Sequence, residues 1–363
     1  MSKKAVAAVA VNVRETEIRK FDLPEIGEDE GLLKVEVVGV CGTDVDYYRK
    51  KQSPRILGHH IVGEVEEIGE KAAKKWGVVP GDRVVMEEYI PCGQCKHCRT
   101  GSFRACEETD PRKSGIRYGA TSLDTKPALY GGFAQYIYLH PNAVLHKISN
   151  DINPVEASFA LPLSNGFEWM CIEGKVGPKQ VVLIQGPGQQ GLACALAAKY
   201  AGAEVIVTGR NTSIKRLELA KQLGVDHIIN ISSEDIVERV KDITNGNMVD
   251  VVLDVTSGGA GPVTSSIDVA KKGGCIILGA YKYQLIPDWN IDEVIKKTLT
   301  IKGVRGHSYQ SVEMAIDCIA SGKFPIRIMN SHNYPLAETD QALKTAGGEG
   351  EPNPLLVTVS PWS

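Results

Sequence analysis

The loop PCGQCKHCRTGSFRAC holds four of the nine cysteines of the chain. These are Cys92, Cys95, Cys98 and Cys106, spaced Cys-x2-Cys-x2-Cys-x7-Cys. Four thiolates this close along one loop can surround a tetrahedral Zn²⁺ and leave no position for a substrate, so the spacing predicts a structural zinc site. An iron–sulfur cluster is the alternative, but the intervals differ from the usual cluster patterns.

A second pair of potential metal ligands is Cys41, in VGVCGTDVDYY, and His59, in ILGHHIVGEVEEIG. Each residue alone is more often a buried thiol or a core histidine. Their neighbours change that interpretation, because the hydroxyl of Thr43 can pass on a substrate proton and the carboxylate of Asp44 can orient a histidine ring. The group therefore indicates a Lewis-acid site.

A glycine motif lies between the apolar run VVLIQ and the helical pattern GLACALAAKYAG, where Gly186, Gly188 and Gly191 form Gly-x-Gly-x-x-Gly. The first glycine makes the tight turn, the second lets the backbone approach a pyrophosphate, and the third lets helix and strand pack closely. The N-terminus of the following helix offers unpaired N–H groups to the phosphates. In this context the motif predicts dinucleotide binding.

The end of the next predicted strand, EVIVTGRN, bears on the choice between NAD and NADP. An acidic residue at this place accepts hydrogen bonds from the ribose 2′-hydroxyl of NAD. Here Gly209 replaces it, Arg210 follows with a guanidinium suited to phosphate, and Arg216 is close in sequence. The pattern favours NADP over NAD, although Arg210 as an ordinary solvated residue is the alternative.

Two kinds of structure must position these residues. From Val6 to about Ile148, short β-like runs such as LLKVEVVGV and GDRVVMEEY are broken by Gly and Pro, which predicts a mostly β, barrel-like unit. From about Pro154, short apolar strands alternate with amphipathic helices, a pattern typical of an α/β fold with a doubly wound parallel sheet. After Ile301 mixed short elements end in PLLVTVSP, and we expect this tail to rejoin the first unit.

The bulk composition limits the classes of function. The chain has 363 residues, 43% of them hydrophobic and 23% charged, with a formal net charge of -3. Its length predicts two domains, and the lack of a strong positive charge argues against nucleic-acid and anionic-membrane partners. Because we find neither a long apolar run nor a cleavage-site pattern, we predict a cytoplasmic protein.

The motifs together resemble the zinc-containing medium-chain alcohol and polyol dehydrogenases over essentially the whole chain. Within that family they most resemble the sorbitol, threonine and sugar dehydrogenase branch. The resemblance implies a GroES-like catalytic domain at 1–155, a Rossmann dinucleotide-binding domain at 156–304 and a return segment of the catalytic domain at 305–363. It is carried by motifs that occur in family order: Cys41-Gly42-Thr43-Asp44, Gly58-His59-x3-Gly63-x5-Gly69, Pro80-Gly81-Asp82-Arg83-Val84, the four-cysteine loop, Gly131-Gly132-Phe133-Ala134-Gln135-Tyr136 and the glycine loop at Gly186.

The resemblance also implies roles for single residues. Cys41 and His59 would bind a catalytic zinc. Thr43 would hydrogen-bond the alcohol oxygen, and Asp46 would hand the proton to solvent. A homodimer or homotetramer is implied as well. The cofactor-binding residues would be Gly186, Gly188, Gln189, Gln190, Gly191, Gly209, Arg210, Asn211, Arg216 and Thr256, with Leu278, Gly279 and Ala280 beside the nicotinamide.

Two departures from the family pattern concern the catalytic metal. His60 replaces a glutamate that lies near the metal in many relatives, and Leu161 stands where a third ligand, Glu, Cys or Asp, would be expected. Because leucine cannot bind a metal, three alternatives remain open. Either His60 completes the coordination, or a nearby carboxylate substitutes, or the site holds metal weakly or not at all.

The reaction implied is hydride transfer between an alcohol or polyol, or the matching ketone or aldehyde, and NAD(P), assisted by zinc. One alternative is a reductase of activated carbonyl or enone substrates that has the same fold but a degenerate or absent catalytic zinc. Leu161, which replaces a metal ligand, would be the sign of that loss. Another is a nucleotide-binding protein without turnover, against which Cys41, His59 and Thr43 argue.

Overall fold

The computed structural model describes residues 3–113, 115–287 and 289–363. Contacts divide the chain into two compact units. The first runs to Leu161 and resumes at Ile326–Ser363, and the second is Pro162–Pro325. The boundaries expected from the sequence were 155/156 and 304/305.

The first unit is built mainly from antiparallel strands, as the Gly- and Pro-punctuated β pattern predicts. A three-stranded sheet has the order β2-β1-β4 and a larger sheet the order β15-β16-β3-β5-β6-β8, with β7 also paired to β3, among the described residues. The strands are β1 Lys4–Asn12, β2 Glu15–Asp22, β3 Gly31–Gly39, β4 Arg55–Ile56, β5 His60–Ile68, β6 Arg83–Met86, β7 Tyr136–Leu139, β8 Leu145–Ile148, β15 Asn330–Pro335 and β16 Leu356–Ser360.

The C-terminal segment belongs to this first unit. Strand β16 pairs antiparallel with β3, with Thr358 opposite Gly39, and β15 pairs parallel with β16. Val357 and Val359 are fully buried in the same apolar core as residues of β1, β3 and β5. The helices of the unit are α1 Gly42–Tyr48, α2 Glu70–Trp76, α3 Lys96–Arg99, α4 Pro154–Ala157 and α12 Thr339–Ala346, with short 3₁₀ turns at Phe103–Ala105, Glu107–Thr109, Pro111–Lys113, Ile326–Met329 and Leu336–Glu338.

The second unit contains a parallel sheet whose described strands have the order β11-β10-β9-β12-β13-β14. This order reverses between β9 and β12, as in doubly wound sheets that bind nucleotides at the reversal. The strands are β9 Val181–Gln185, β10 Glu204–Gly209, β11 His227–Asn230, β12 Val249–Asp254, β13 Ala270–Leu278 and β14 Thr300–Gly303. The helices are α5 Ala160–Phe167, a π-helical turn Glu168–Glu173, α6 Gln189–Tyr200, α7 Ile214–Gln222 after a 3₁₀ turn at Asn211–Ser213, α8 Ile236–Ile243, α9 Gly261–Val269, α10 Ile291–Lys296 and α11 Tyr309–Ala320.

The central strands of this sheet are covered on both faces. Leu183, Ile206 and Val252 lie at 0% exposure in one apolar cluster of the unit, which explains why these strands are continuous apolar runs in the sequence. The predicted fold class, a doubly wound α/β sheet with a mostly β barrel-like domain, is confirmed. Within the described part of the chain, no helix combines the length and apolar character that a bilayer crossing needs.

Candidate metal centre and cofactor site

Asp44 holds together the residues of the first candidate metal site. Cys41 precedes helix α1, and Asp44 lies at the third position of that helix with no exposed surface. Its carboxylate accepts hydrogen bonds from the N–H of Cys41 at 2.9 Å and the N–H of Gly58 at 2.9 Å, and it lies 3.1 Å from Nδ1 of His59. One buried anion therefore fixes the backbone on both sides of the site and turns Nε2 of His59 away from itself.

Gly58 brings two neighbouring histidines into one site. Its φ of +88° lies in the left-handed region, and a Cβ there would lie 2.8 Å from the Phe133 ring and 2.9 Å from Val38. Side chains at successive positions of a regular strand point to opposite faces. Because the backbone turns at Gly58 and β5 begins only at His60, both imidazoles lie side by side, with ring centroids 4.6 Å apart in an edge-to-face arrangement.

Cys41, His59 and His60 can share one metal ion. Each offers one ligand atom, and these atoms all lie within 4.8 Å of one another. Zinc binds nitrogen at about 2.1 Å and sulfur at about 2.3 Å, so tetrahedral ligand atoms lie about 3.4–3.8 Å apart. Nδ1 of His60 is buried and has no hydrogen-bond partner in the described structure. Such an unpaired buried nitrogen is costly unless it has a ligand, so these donors fit a metal ion.

The electrostatics of the site also suit a cation. Burial by itself raises the pKa of the Cys41 thiol, but the His60 and His59 rings lower it to about 5. Burial likewise opposes the ionisation of Asp44, whereas His59 and the two backbone N–H donors hold its pKa below the ordinary value. The lowered pKa of Cys41 favours the thiolate, which is the form that binds metals.

The two residues predicted to move the proton follow Cys41 along α1. Thr43 is exposed, and its Oγ1 lies 3.9 Å from Sγ of Cys41. Asp46 is also exposed, three residues further along the helix and hence on the same face as Thr43. Leu161 is 2% exposed in helix α5 and offers no donor atom.

Sequence analysis did not identify Glu88, which follows strand β6 and lies beside the histidine pair. Its Oε2 is 3.8 Å from Nε2 of His59 and 3.7 Å from Nη1 of Arg117. The side chains of Glu88 and Arg117 are each 16% exposed. No regular spacing connects residue 88 to Cys41 or His59, and only the pairing of β5 with β6 brings these segments together.

The four-cysteine loop closes around a second site. The four sulfur atoms all lie within 4.8 Å of one another, with 3.4 Å between Cys95 and Cys98 and 3.9 Å between Cys92 and Cys98. The N–H of Cys95 donates to the sulfur of Cys92 at 3.3 Å. Backbone N–H groups of Gln94 and Cys95 lower the pKa of Cys92 to about 7. The donor set and its spacing fit a closed tetrahedral zinc site.

The glycine motif of the second unit lines a pocket of about 430 Å³. Gly186, at φ +107°, makes the turn between β9 and α6. A Cβ at Gly209 would lie 3.0 Å from Pro187 and 3.1 Å from Leu217, so a larger side chain at the end of β10 would be tightly packed against these two residues. Six predicted residues line the pocket, namely Gly186, Gly188, Gly209, Arg210, Arg216 and Thr256.

The other predicted cofactor residues lie around this pocket rather than in its lining. Gln189 and Gln190 open helix α6, and the side-chain amide of Gln190 donates to the carbonyl of Pro162 at 3.1 Å. Gly191 follows them in the same helix. Asn211 follows Arg210 and accepts a hydrogen bond from Asn230 at 2.7 Å. Leu278 ends β13, Gly279 lies against the ring of Trp169, and Ala280 follows.

Three polar residues of this region were missed by sequence analysis. Thr212 and Ser213 line the pocket next to Arg210. Lys282 forms an ion pair with the fully buried carboxylate of Asp254 at 2.7 Å and donates to the carbonyl of Thr256 at 2.6 Å. Hydroxyls in the helix-opening turn after β10 were the available signal for Thr212 and Ser213. Only the fold reveals the contact of Lys282.

Comparison with known proteins assigns the family. Residues 27–150 match the model of the alcohol dehydrogenase GroES-like domain, and residues 191–321 match that of zinc-binding dehydrogenases. A Mycobacterium tuberculosis protein named "Probable alcohol dehydrogenase" is 33% identical over 360 residues, which cover 96% of each chain. The sorbitol dehydrogenase of Bacillus subtilis is 31% identical over 347 residues, covering 94% of this chain and 93% of the relative.

A solved structure agrees with these relatives. A Sinorhizobium meliloti 1021 protein of the zinc-binding dehydrogenase class, bound to NADP, is 25% identical with a TM-score of 0.85, covering 99% of this chain and 100% of that one. The chain belongs to the zinc-binding alcohol dehydrogenase family. It is an oxidoreductase that acts on CH–OH groups with zinc and a nicotinamide nucleotide as cofactors, which confirms the family and the reaction class predicted from the sequence.

Proposed function

We propose that the chain is an NADP-dependent alcohol or polyol dehydrogenase whose catalytic zinc is held by Cys41, His59 and His60. The observation that carries this proposal is the convergence of one sulfur and two imidazole nitrogens within 4.8 Å. His60 thus takes the place of the ligand that Leu161 cannot provide. Three protein ligands leave one position of a tetrahedral ion for the substrate, as catalytic zinc sites require.

The residues around the ligands have the task of holding them in the reactive form. Asp44 accepts the Nδ1 proton of His59, so that the lone pair of Nε2 points to the metal. When bound, zinc polarises the alcohol oxygen and makes its proton easier to remove. Thr43 then accepts a hydrogen bond from the hydroxyl, and Asp46, exposed on the same helix face, passes the proton to water.

The preference for NADP rests on charge and space at the end of β10. Gly209 provides no carboxylate to bind the ribose 2′-hydroxyl of NAD, and its neighbours Pro187 and Leu217 pack tightly around it. Arg210 and Arg216 line the same pocket, together with the hydroxyl-bearing Thr212 and Ser213. Guanidinium and hydroxyl donors are the groups that bind a 2′-phosphate. The homodimeric or homotetrameric state and the cytoplasmic location stay predictions.

Zinc content and turnover of the wild type and of Cys41→Ser test the metal proposal. We expect two zinc ions per wild-type chain, and loss of one zinc and most alcohol oxidation in the variant. Cys275→Ser, a half-buried thiol outside both cysteine sites, is the control and should keep both ions. Equal metal content in the wild type and Cys41→Ser would refute the assignment. One zinc in the wild type, together with reduction of activated carbonyls or enones, would favour the alternative of a reductase without a catalytic zinc.

Dissociation constants for NADP and NAD test the cofactor preference. Replacing Arg210 by Ala removes a charge-assisted hydrogen bond of about 1.5–3 kcal/mol, which corresponds to roughly 10- to 150-fold weaker NADP binding. NAD binding should change little, since NAD lacks the 2′-phosphate. Lys215→Ala, an exposed positive charge on the following helix, is the control. An equal effect on both nucleotides would contradict the proposal.

A further inference from the structure

We infer that Glu88 is the carboxylate of the catalytic metal site, replacing the acidic residue that this chain lacks at positions 60 and 161. The inference rests on the proposed function, since it needs a metal held by Cys41 and the two histidines. It assigns to Glu88 the retention of the ion through its negative charge. The carboxylate stands next to the nitrogen that faces the metal.

The two ring nitrogens of His59 have different partners, and Glu88 lies beside the one that Asp44 does not engage. Nδ1 is engaged by Asp44 at 3.1 Å, so Nε2 is the atom that faces the metal. Oε2 of Glu88 lies 3.8 Å from this Nε2. The carboxylate is therefore close enough to act through its negative charge on an ion held at this nitrogen, while it stays outside the three ligand atoms that lie within 4.8 Å of one another.

The direction of Glu88 differs from that of the preceding residue. Glu87 is fully buried on the opposite side, where Oε1 lies 3.1 Å from Nε2 of His146 and both side chains are 0% exposed. Glu88 lies in the bend that follows strand β6 and has its carboxylate near His59 instead. The two adjacent carboxylates therefore have separate tasks, one in the core and one at the metal site.

Arg117 holds the carboxylate in place without removing it from the site. Its Nη1 lies 3.7 Å from the same Oε2, and its guanidinium lies over the ring of Tyr89 at 4.7 Å from the centroid. The N–H of Tyr118 donates to the carbonyl of Glu88 at 2.9 Å, which fixes the backbone at that point. Oε2 of Glu88 thus lies between the guanidinium of Arg117 and Nε2 of His59.

The charge balance gives the reason for this arrangement. A thiolate and two neutral imidazoles leave a divalent ion with one uncompensated positive charge, and a carboxylate removes it. Leu161 provides neither charge nor donor, and His60 provides a neutral donor. Glu88, largely buried at 16% exposure, supplies the missing negative charge at close range, where solvent screens it little.

The experiment compares metal affinity in the full-length wild type, Glu88→Gln and Arg117→Gln by chelator competition with Zn²⁺. Loss of the carboxylate should weaken the catalytic metal by about 10- to 100-fold. Arg117→Gln removes the same ion pair but keeps the carboxylate, and it should bind the metal as tightly as the wild type or more tightly. A purely structural ion pair would give both variants the same effect, which would overturn the inference.

The controls separate this inference from the proposed function and from misfolding. Glu67→Gln removes an exposed carboxylate at the far end of strand β5 and should leave both metals in place. Retention of the structural zinc shows that a variant has folded. In Co²⁺-loaded protein, an altered visible spectrum of Glu88→Gln would support a carboxylate that acts on the metal from beside its ligands. If Cys41→Ser loses one zinc but Glu88→Gln binds it like the wild type, the role of Glu88 is wrong and the proposed function stands.

Discussion

Replacement of Asp44 by Asn tests the physical basis of the metal site. The carboxylate accepts from two backbone N–H groups and from the His59 ring, and it has no exposed surface. An amide has one oxygen and one NH₂ group, so at least one of these three donors must then face another donor. The change keeps the volume of the side chain, and its effect comes from hydrogen bonding and charge.

The expected loss of stability follows from these contacts. A hydrogen bond to a charged group contributes about 1.5–3 kcal/mol, and a buried polar group left without a partner costs about 1–3 kcal/mol. Asp44→Asn should therefore lower the free energy of unfolding of the zinc-loaded chain by about 2–5 kcal/mol. Because His59 also loses the anion that fixes its Nδ1 proton, the affinity for the catalytic zinc should fall by about 10- to 100-fold.

Urea unfolding at pH 7 and chelator competition measure the two effects. Asp46→Asn is the matched control for stability, because Asp46 is exposed on the same helix and surface changes stay within about 0.5 kcal/mol. A stability loss below about 1 kcal/mol for Asp44→Asn, or unchanged zinc affinity, would refute the assignment of Asp44 as the residue that holds the ligands.

Three further outcomes are expected. Gly191→Ala should abolish NADP binding, because a Cβ at this position meets the carbonyl of Gly186 and forces the phosphate loop apart; an unchanged dissociation constant would contradict this reading. Cys98→Ser should remove one zinc per chain in metal analysis while the second unit still binds nucleotide. Tyr138 donates to Glu30 and lowers its pKa, so this pairing stabilises the fold above about pH 4.5 and is lost as the pH falls further. Glu30→Gln should cost about 1 kcal/mol at pH 7 and should remove this loss of stability below about pH 4.5.

The sequence contains enough information for the fold because its two halves follow different periodicities. Short β runs separated by Gly and Pro give the first unit, and apolar strands alternating with helices give the second. The glycine motif and the four-cysteine loop are local in sequence, so their spacing alone predicts which residues come together. The structure brings Cys92, Cys95, Cys98 and Cys106 within ligand distance, as their intervals predict.

The rest of the site depends on contacts between distant segments. Glu88 meets His59 only because β6 pairs with β5, and no motif marks that residue. The ability of two consecutive histidines to share one ion depends on the backbone turn at Gly58, which cannot be read from the letters Gly-His-His. Lys282 reaches Asp254 across the ends of two strands, and its sequence environment resembles an ordinary exposed loop.

The pairing of β16 with β3 affects how the chain folds as it is synthesised. Together with β15, the strand at Leu356–Ser360 completes a sheet whose remaining members, β3 and β5 to β8, lie more than two hundred residues earlier. Residues 162–325 can thus reach their final structure on the ribosome while the earlier segment still exposes an unfilled sheet edge. A short C-terminal truncation should therefore damage the first unit, which contains the cysteine and histidine clusters, and spare the second unit, which contains the glycine motif.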